Sequence, residues 1–226
     1  DARFAVGDMG AGPGGAQVRA GRLAAHLHPL AATLRARLEE SSEASLLTDM
    51  EMPLSVLLGQ MEDIGIAADT SVLDGLSDEL GKAVDAAREG AWAAAGREVN
   101  LSSPKQLQEL LFDHFRLPKT KKTKTGYTTN AEALVDLHAK TADEGGAGHD
   151  FLGFLLTHRD RIKLKQMVDS LSATVASDGR IHTTFSQVAA ATGRLASSDP
   201  NLQNIPARSA DGMRIRGAFV AGAGFE

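Results

Sequence analysis

A polar stretch, Ala190–Pro206, holds the side chains of this sequence that are best suited to binding a ligand. Within it, Gly193 lets the backbone turn or approach a ligand closely, and the guanidinium of Arg194 leaves the chain at that bend. Three carboxamides follow a turn signal, at Asn201, Gln203 and Asn204. These groups supply many donors and several acceptors, but no nucleophile and no set of metal ligands. Such chemistry is typical of holding a polar, anionic ligand and not of breaking a bond.

This stretch resembles the T-G-R-L-S-S…P-N-L-Q-N-I-P segment of family A DNA polymerases, the bacterial DNA polymerase I type. It departs from that segment at Ala196, where the family usually has Ser. In the family the segment enters the palm and contacts the minor groove of the primer–template duplex near its growing end. The minor groove presents purine N3 and pyrimidine O2 as acceptors, so donors placed there bind any sequence. The resemblance assigns this role to Arg194, Asn201, Gln203 and Asn204.

Composition alone favours a different interpretation of the same residues, in which a surface loop uses its amides to cap neighbouring turns. The length and unusual composition of the whole motif make it far more specific than a lone glycine-rich loop. We therefore prefer the minor-groove interpretation.

The charge of the chain is unevenly distributed. The formal net charge of −5 over 226 residues argues by itself against a nucleic-acid partner. Residues 1–118, however, carry 10 Lys and Arg against 18 Asp and Glu, whereas residues 119–226 carry 14 against 11. The basic residues therefore collect in the half that also holds the motif.

The chain has no cysteine, which excludes a disulfide framework and a cysteine metal site. It has neither a signal peptide nor an apolar run near the roughly twenty residues that a membrane span needs. We therefore expect a cytoplasmic, monomeric protein that does not contact membranes.

Leucine periodicity and capping signals predict a mainly α fold with a small β portion (α+β). Residues 1–18 lack periodicity and are predicted as a loop or a frayed start. Leucines recurring from Leu23 to Leu38 predict a helix that Pro29 kinks or divides into two shorter helices. Further helices are predicted after caps at residues 69–71, 103 and 129, and from about Phe151 to Ala176. A strand is predicted over Ile181–Val188. His138 and His158 are predicted to lie on helix surfaces.

The resemblance divides the chain into three parts. Residues 1–47 correspond to the tail of an exonuclease-like domain or a linker helix. Residues 48–178 correspond to a helical thumb, and residues 179–226 correspond to the start of a palm that carries the motif.

A basic loop lies in the thumb-like part, with lysines interleaved by hydroxyls and a glycine. Charge runs are often only solvated loops, but lysines that meet phosphates release counterions and so bind a duplex. In family A polymerases this position is the thumb tip, against the duplex backbone. We therefore predict that the loop is exposed and mobile and that it contacts DNA through Lys119, Lys121, Lys122 and Lys124.

A second basic element resembles the family segment Tyr-Arg…Lys-Leu-Lys-Ser-Thr-Tyr, although His158 and Val168 replace its tyrosines. The resemblance implies duplex contacts by Lys163 first, and by Arg159 and Lys165. Arg208 continues the basic character beyond the motif and is also predicted to contact DNA.

Nucleotidyl transfer needs divalent metals held by carboxylates and cations around the incoming triphosphate. In the family, the first metal-binding Asp and the fingers helix follow the point that corresponds to Glu226. We therefore expect a DNA-directed DNA polymerase fragment that binds primer–template duplex, has no catalytic residue of its own and polymerises nothing alone. Mg²⁺ and deoxynucleotides are expected only in the intact enzyme. The alternative is a non-catalytic DNA-binding or scaffold module with a thumb-like fold.

Overall fold

The structure, a computed structural model, describes residues 13–124 and 126–222, apart from the side chains of residues 13–20 and 22. These residues fall into two compact units that divide between Met61 and Glu62. No helix in this described part is both long and apolar enough to cross a bilayer. The fold is α+β, as predicted, because long helices dominate and the strands are short.

The first unit consists of helical segments. Helix α1 spans Pro13–Glu40, so the loop alternative is wrong for residues 13–18, and residues 1–12 lie outside the described residues. The helix continues through Pro29. Its predicted leucine stripe is 48–63% exposed, at Leu23, Leu27, Leu30 and Leu34. After α2 (Ala44–Leu46) and a π-helical turn (Leu47–Glu51), α3 (Met52–Ile64) leads into the second unit.

Two long helices pack together in the second unit, α4 (Thr70–Ala95) and α7 (Ala147–Ala173). Asp69 caps α4 by accepting hydrogen bonds from the amides of Ser71 at 2.9 Å and Val72 at 3.3 Å. The predicted apolar stripe of α4 is buried, at Leu73, Leu76, Leu80, Val84 and Ala87.

Helix α7 begins four residues before the predicted start, directly after Gly146, whose φ of 86° suits glycine. The prediction that His158 lies on a helix surface is wrong, because this residue of α7 is 7% exposed. Burial, with Arg88 and Arg159 nearby, lowers the pKa of His158.

Shorter helices complete the second unit. Helix α5 (Pro104–Gln108) begins at the predicted cap Ser103, and a π-helical turn (Glu109–His114) follows it. Helix α6 spans Ala131–Lys140. The predicted cap at Thr129 is wrong by one residue, because the carboxamide oxygen of Asn130 accepts from the amide of Ala133 at 3.0 Å. The main core packs α5 and α6 against the facing ends of the two long helices, around Leu107, Leu134 and Phe151.

The predicted strand over Ile181–Val188 forms two separate pairings. Strand β4 (Arg180–Ile181) pairs antiparallel with β1 (Ile66–Ala67), and β5 (Thr184–Ser186) pairs with β6 (Ala196–Ser198). The break falls at His182 and Thr183, whose side chains bond to groups outside the strand.

One further hairpin precedes β4 in the sequence, and one further helix follows β6. Strands β2 (Lys122–Thr123) and β3 (Gly126–Tyr127) form a hairpin, and helix α8 spans Ala210–Arg216. A second core packs Leu76, Val168, Ile181 and Ile215 together.

Candidate nucleic-acid interface

A buried hydroxyl pair organises the polar motif. The Oγ1 of Thr183 lies 2.7 Å from the Oγ of Ser197, 2.9 Å from the carbonyl oxygen of Ser198 and 2.8 Å from that of Pro200. The Oγ of Ser197 also accepts from the amide of Leu202 at 3.2 Å. These bonds join the β5–β6 hairpin to the bend that follows it, so the motif has a defined conformation.

The backbone of the motif turns sharply at two points. Gly193 has a φ of 74°, and the bond between Asp199 and Pro200 is cis. A single turn of 3₁₀ helix, Leu202–Asn204, follows. Between these bends Arg194 is exposed, and no hydrogen bond or ion pair of its guanidinium occurs within the described residues.

The three carboxamides of the motif are exposed, but they differ in their partners. The side-chain oxygen of Asn201 accepts from the amide of Gln203 at 3.0 Å, and the Nε2 of Gln203 donates to the carbonyl of Leu195 at 2.8 Å. Both side chains therefore stabilise neighbouring turns. This is the capping role that composition alone favoured for these residues. Each still presents further hydrogen-bonding groups, because a carboxamide has two N–H groups and an oxygen with two lone pairs.

Helix α8 holds the end of the motif through a close approach. A Cβ on Gly212 would lie 2.3 Å from the carbonyl oxygen of Pro206, so only glycine fits here. Arg216 donates from its Nε to the same carbonyl at 3.3 Å. Arg161 on α7 pairs with Asp211 at 2.6 Å, which fixes α8 against α7.

Helix α8 is also tied to α4. The guanidinium of Arg214 forms a two-point ion pair with Glu79, with N–O distances of 2.8 and 2.5 Å. The hydrogen bond from Arg214 lowers the pKa of the Glu79 carboxyl. Of the arginines near the end of the chain, Arg214 and Arg216 therefore have protein partners, whereas Arg208 is exposed.

A groove of about 450 Å³ separates α7 from the motif. Met167 and Ser170 line it on the α7 side, and Asn201 and Asn204 line it on the motif side. Lys163 lies one helical turn before Met167 on α7 and is exposed. Residues four apart share a helix face, so the ammonium of Lys163 extends the same side of α7 that borders the groove.

The other two basic residues predicted on α7 have partners inside the protein. Arg159 donates to the carbonyl oxygen of Thr129 at 2.6 Å, and burial lowers the pKa of its guanidinium. Lys165 pairs with Asp169 at 2.6 Å and bonds to Ser77 on α4 at 3.2 Å. Both residues brace α7 in the free protein, which leaves Lys163 as the more accessible cation of the three.

The basic loop, predicted from the sequence to be exposed and mobile, contains the β2–β3 hairpin. Thr120 donates to the carbonyl of Thr128 at 2.6 Å, and the amide of Tyr127 bonds to Gln108 at 3.0 Å. The ammonium of Lys119 lies 5.1 Å from the centroid of the Tyr127 ring. These contacts hold the backbone, while the lysine side chains remain exposed, at Lys119, Lys121, Lys122 and Lys124.

Sequence reasoning missed the groups that shape the motif. The pairing of Thr183 with Ser197 joins two ordinary hydroxyl residues 14 positions apart, and no local pattern marks it. Gly212 sits in a helix, where its tight contact with Pro206 depends on tertiary packing. The only available signal was the density of small residues in this region.

Comparisons of this sequence with protein families and with individual known proteins agree with one another. The family model for DNA polymerase family A matches residues 70–225. The chain is 53% identical over 193 residues to DNA polymerase I of Mycobacterium leprae, which covers 85% of this chain and 20% of that protein. It is 40% identical over 202 residues to DNA polymerase I of Bacillus subtilis, which covers 88% of this chain and 22% of that protein.

A solved structure is also similar, the POL domain of Pol1 from M. smegmatis in complex with DNA primer-template and dNTP. It matches with a TM-score of 0.80 at 52% identity, over 88% of this chain and 34% of that one. The chain spans about a fifth of the length of the curated relatives that it matches.

Proposed function

Because this chain belongs to DNA polymerase family A, we propose that it is the part of a DNA-directed DNA polymerase that holds the primer–template duplex. The motif contacts the minor groove through Arg194 and the carboxamides beside it. Lys163 and the lysines of the β2–β3 hairpin contact phosphates. The chain acts as a monomer, and deoxynucleotides bind only when the rest of the polymerase is present.

The observation that carries this proposal is the groove between α7 and the motif. Exposed amides from Asn201 and Asn204 border it on one side, and the face of α7 that bears Lys163 borders it on the other. Amide donors suit the acceptors of the minor groove, and an ammonium suits a phosphate. A duplex laid along the groove meets both kinds of group at once.

Mg²⁺ is expected for a polymerase, but the described residues do not fit a magnesium site. Within residues 13–124 and 126–222, no group of three or more His, Asp or Glu side chains is placed to hold a metal ion. We therefore derive no step of nucleotidyl transfer from this chain, and its proposed contribution is to bind and orient the duplex.

A salt titration of primer–template binding tests the proposal. Each phosphate contact contributes a slope of about −0.9 when the logarithm of the binding constant is plotted against the logarithm of salt concentration. Substitution Lys163→Ala is expected to make that slope less steep by about 1. The control Lys82→Ala removes an exposed lysine from α4 and is expected to leave the slope unchanged.

Two results would contradict the proposal. One is the absence of duplex binding by the wild-type chain at low salt, which would leave a helical protein without this function. The other is an equal effect of both lysine substitutions, which would indicate attraction by net charge and not by the groove.

A further inference from the structure

The carboxyl end of α3 is held by two side chains from the segment that leads into the motif. Arg180 donates from its Nε to the carbonyl oxygen of Ile64 at 2.6 Å and from a terminal nitrogen to that of Gly65 at 3.0 Å. The Nδ1 of His182 lies 2.8 Å from the carbonyl oxygen of Glu62. Carbonyls at the end of a helix lack partners within the helix and favour positive charge.

The second ring nitrogen of His182 also faces an acceptor. Its Nε2 lies 3.1 Å from a carboxylate oxygen of Asp178. A main-chain carbonyl and a carboxylate accept hydrogen bonds only, so both ring nitrogens must donate if both contacts are hydrogen bonds. Neutral imidazole has one N–H and imidazolium has two. This arrangement of acceptors therefore favours the protonated form of the His182 ring, the imidazolium.

The same helix end contacts the hairpin of the motif. The carboxylate of Glu62 accepts a hydrogen bond from the amide of Phe185, which lies in β5 opposite Ser197 of β6. Gly65 has a φ of 65°, and a Cβ there would lie 2.8 Å from the ring of His182. Only a glycine lets the imidazole approach this closely.

We propose that His182 is a positioning residue for the candidate interface: its imidazolium ties the end of α3 to Asp178, in the turn that leads into the β5–β6 hairpin, and loss of one ring proton breaks that tie and so loosens the hairpin. The tie is a property of the free protein. Only its consequence for duplex affinity rests on the proposed function.

The charged groups around the ring agree with this assignment. The carbonyl of Glu62 and then Asp178 raise the pKa of His182, against smaller opposing effects of burial and of Arg180. The stabilising contribution of a group with a raised pKa is complete below its unfolded value of about 6.5 and is lost as pH rises through the folded value. The hairpin should therefore loosen on the alkaline side of the ordinary histidine range.

Nuclear magnetic resonance of the 226-residue chain without DNA tests the tie directly. The ring of His182 is expected to titrate above the ordinary histidine pKa of about 6.5, with both nitrogens protonated below it. The amide signals of Phe185 and Ser197 are expected to follow the same transition. Substitution Asp178→Asn should lower the pKa of His182, and His182→Gln should abolish the transition of the two amides.

The consequence for binding is measured by primer–template affinity at fixed ionic strength, from about pH 6 to about pH 9. Affinity of the wild type is expected to fall about two- to tenfold across this range, the equivalent of one hydrogen bond. His182→Gln should flatten that part of the profile, and the control His114→Gln, which removes an exposed histidine, should not.

Three outcomes separate the inference from the proposed function. A ring that titrates at or below the ordinary pKa, or hairpin amides that do not follow it, overturns the inference. Superimposable pH profiles of wild type and His182→Gln in a chain that binds duplex also overturn it. If the ring and amides titrate together but no duplex binds at any pH, the tie stands and the proposed function fails.

Discussion

Arg194 is the single residue on which the proposed interface depends most, because its guanidinium is exposed at a fixed bend. Gly193 creates that bend with a φ of 74°, and the hydroxyl pair of Thr183 and Ser197 holds the segment after it. A donor carried by a backbone of defined conformation is suited to distinguish a correct base pair, whose minor-groove acceptors stand at constant positions, from a mispair that displaces them.

Arg194→Ala is expected to weaken binding of a correctly paired primer–template by about tenfold, the equivalent of one hydrogen bond to a charged group. Binding of a duplex with a mispaired primer end should weaken less, because that contact is already impaired. Fluorescence anisotropy with the two duplexes measures both effects. Wild-type discrimination in the variant would count against the assigned role.

Gly212 is a second residue whose type is dictated by the site. Gly212→Ala is expected to lower the free energy of unfolding by about 1–3 kcal/mol, because its Cβ would lie 2.3 Å from the carbonyl oxygen of Pro206. The matched control is Gly75→Ala on α4, where a Cβ meets nothing within 4 Å. That substitution should raise the free energy of unfolding by about 0.5–1 kcal/mol through helix propensity. Urea denaturation of both variants measures the difference; equal signs would refute the packing argument.

At the scale of elements, the β5–β6 hairpin is held by side-chain hydrogen bonds from Thr183 as well as by its strand pairing. Thr183 stands between β4 and β5 and is 6% exposed, and its hydroxyl lies within hydrogen-bond distance of Ser197 and Ser198 in β6 and of Pro200 just beyond it. Buried polar groups without partners are costly, so the network is stable only as a whole.

Thr183→Val keeps the shape of this side chain and removes its hydroxyl. The free energy of unfolding is expected to fall by about 1–3 kcal/mol, because the oxygen atoms of Ser197 and Pro200 lose a buried partner. Thr183→Ser retains the hydroxyl and should recover most of that loss. Thermal unfolding of the two variants provides the comparison, and equal losses would contradict the stabilising role assigned to the hydroxyl.

The elements also show how far the sequence determines the fold. The stripe of α4 and its cap are local patterns: the stripe was predicted correctly, and the cap at Asp69 is one of the three positions, residues 69–71, that the sequence left open. The interrupted strand at His182 and Thr183 was not predicted, because its interruption comes from partners on α3 and β6. Burial of His158 likewise depends on a helix far away in sequence. The polar motif could be recognised because its residues are consecutive in the sequence. The residues that hold its conformation, such as Thr183 and Gly212, are separated along the chain and leave no local pattern.

At the scale of the whole molecule, opposite charges are segregated along the chain. The first 118 residues carry an excess of eight negative charges, whereas the half with the groove carries an excess of three positive charges. A net charge of −5 therefore does not predict repulsion of DNA, because local potential governs the approach of a duplex. The excess negative charge of the first 118 residues also disfavours binding of DNA to the surfaces that they form.

The most direct test of the proposed interface is to map which amides change on duplex binding at low salt, by hydrogen exchange of the 226-residue chain with and without a primer–template. We predict protection at residues 194–204, at residues 163–170 of α7 and at the β2–β3 hairpin, with no change in α4 around its exposed residues Asp78, Asp85 and Glu89. Protection confined to other surfaces, or none at duplex concentrations that saturate binding, would contradict the account.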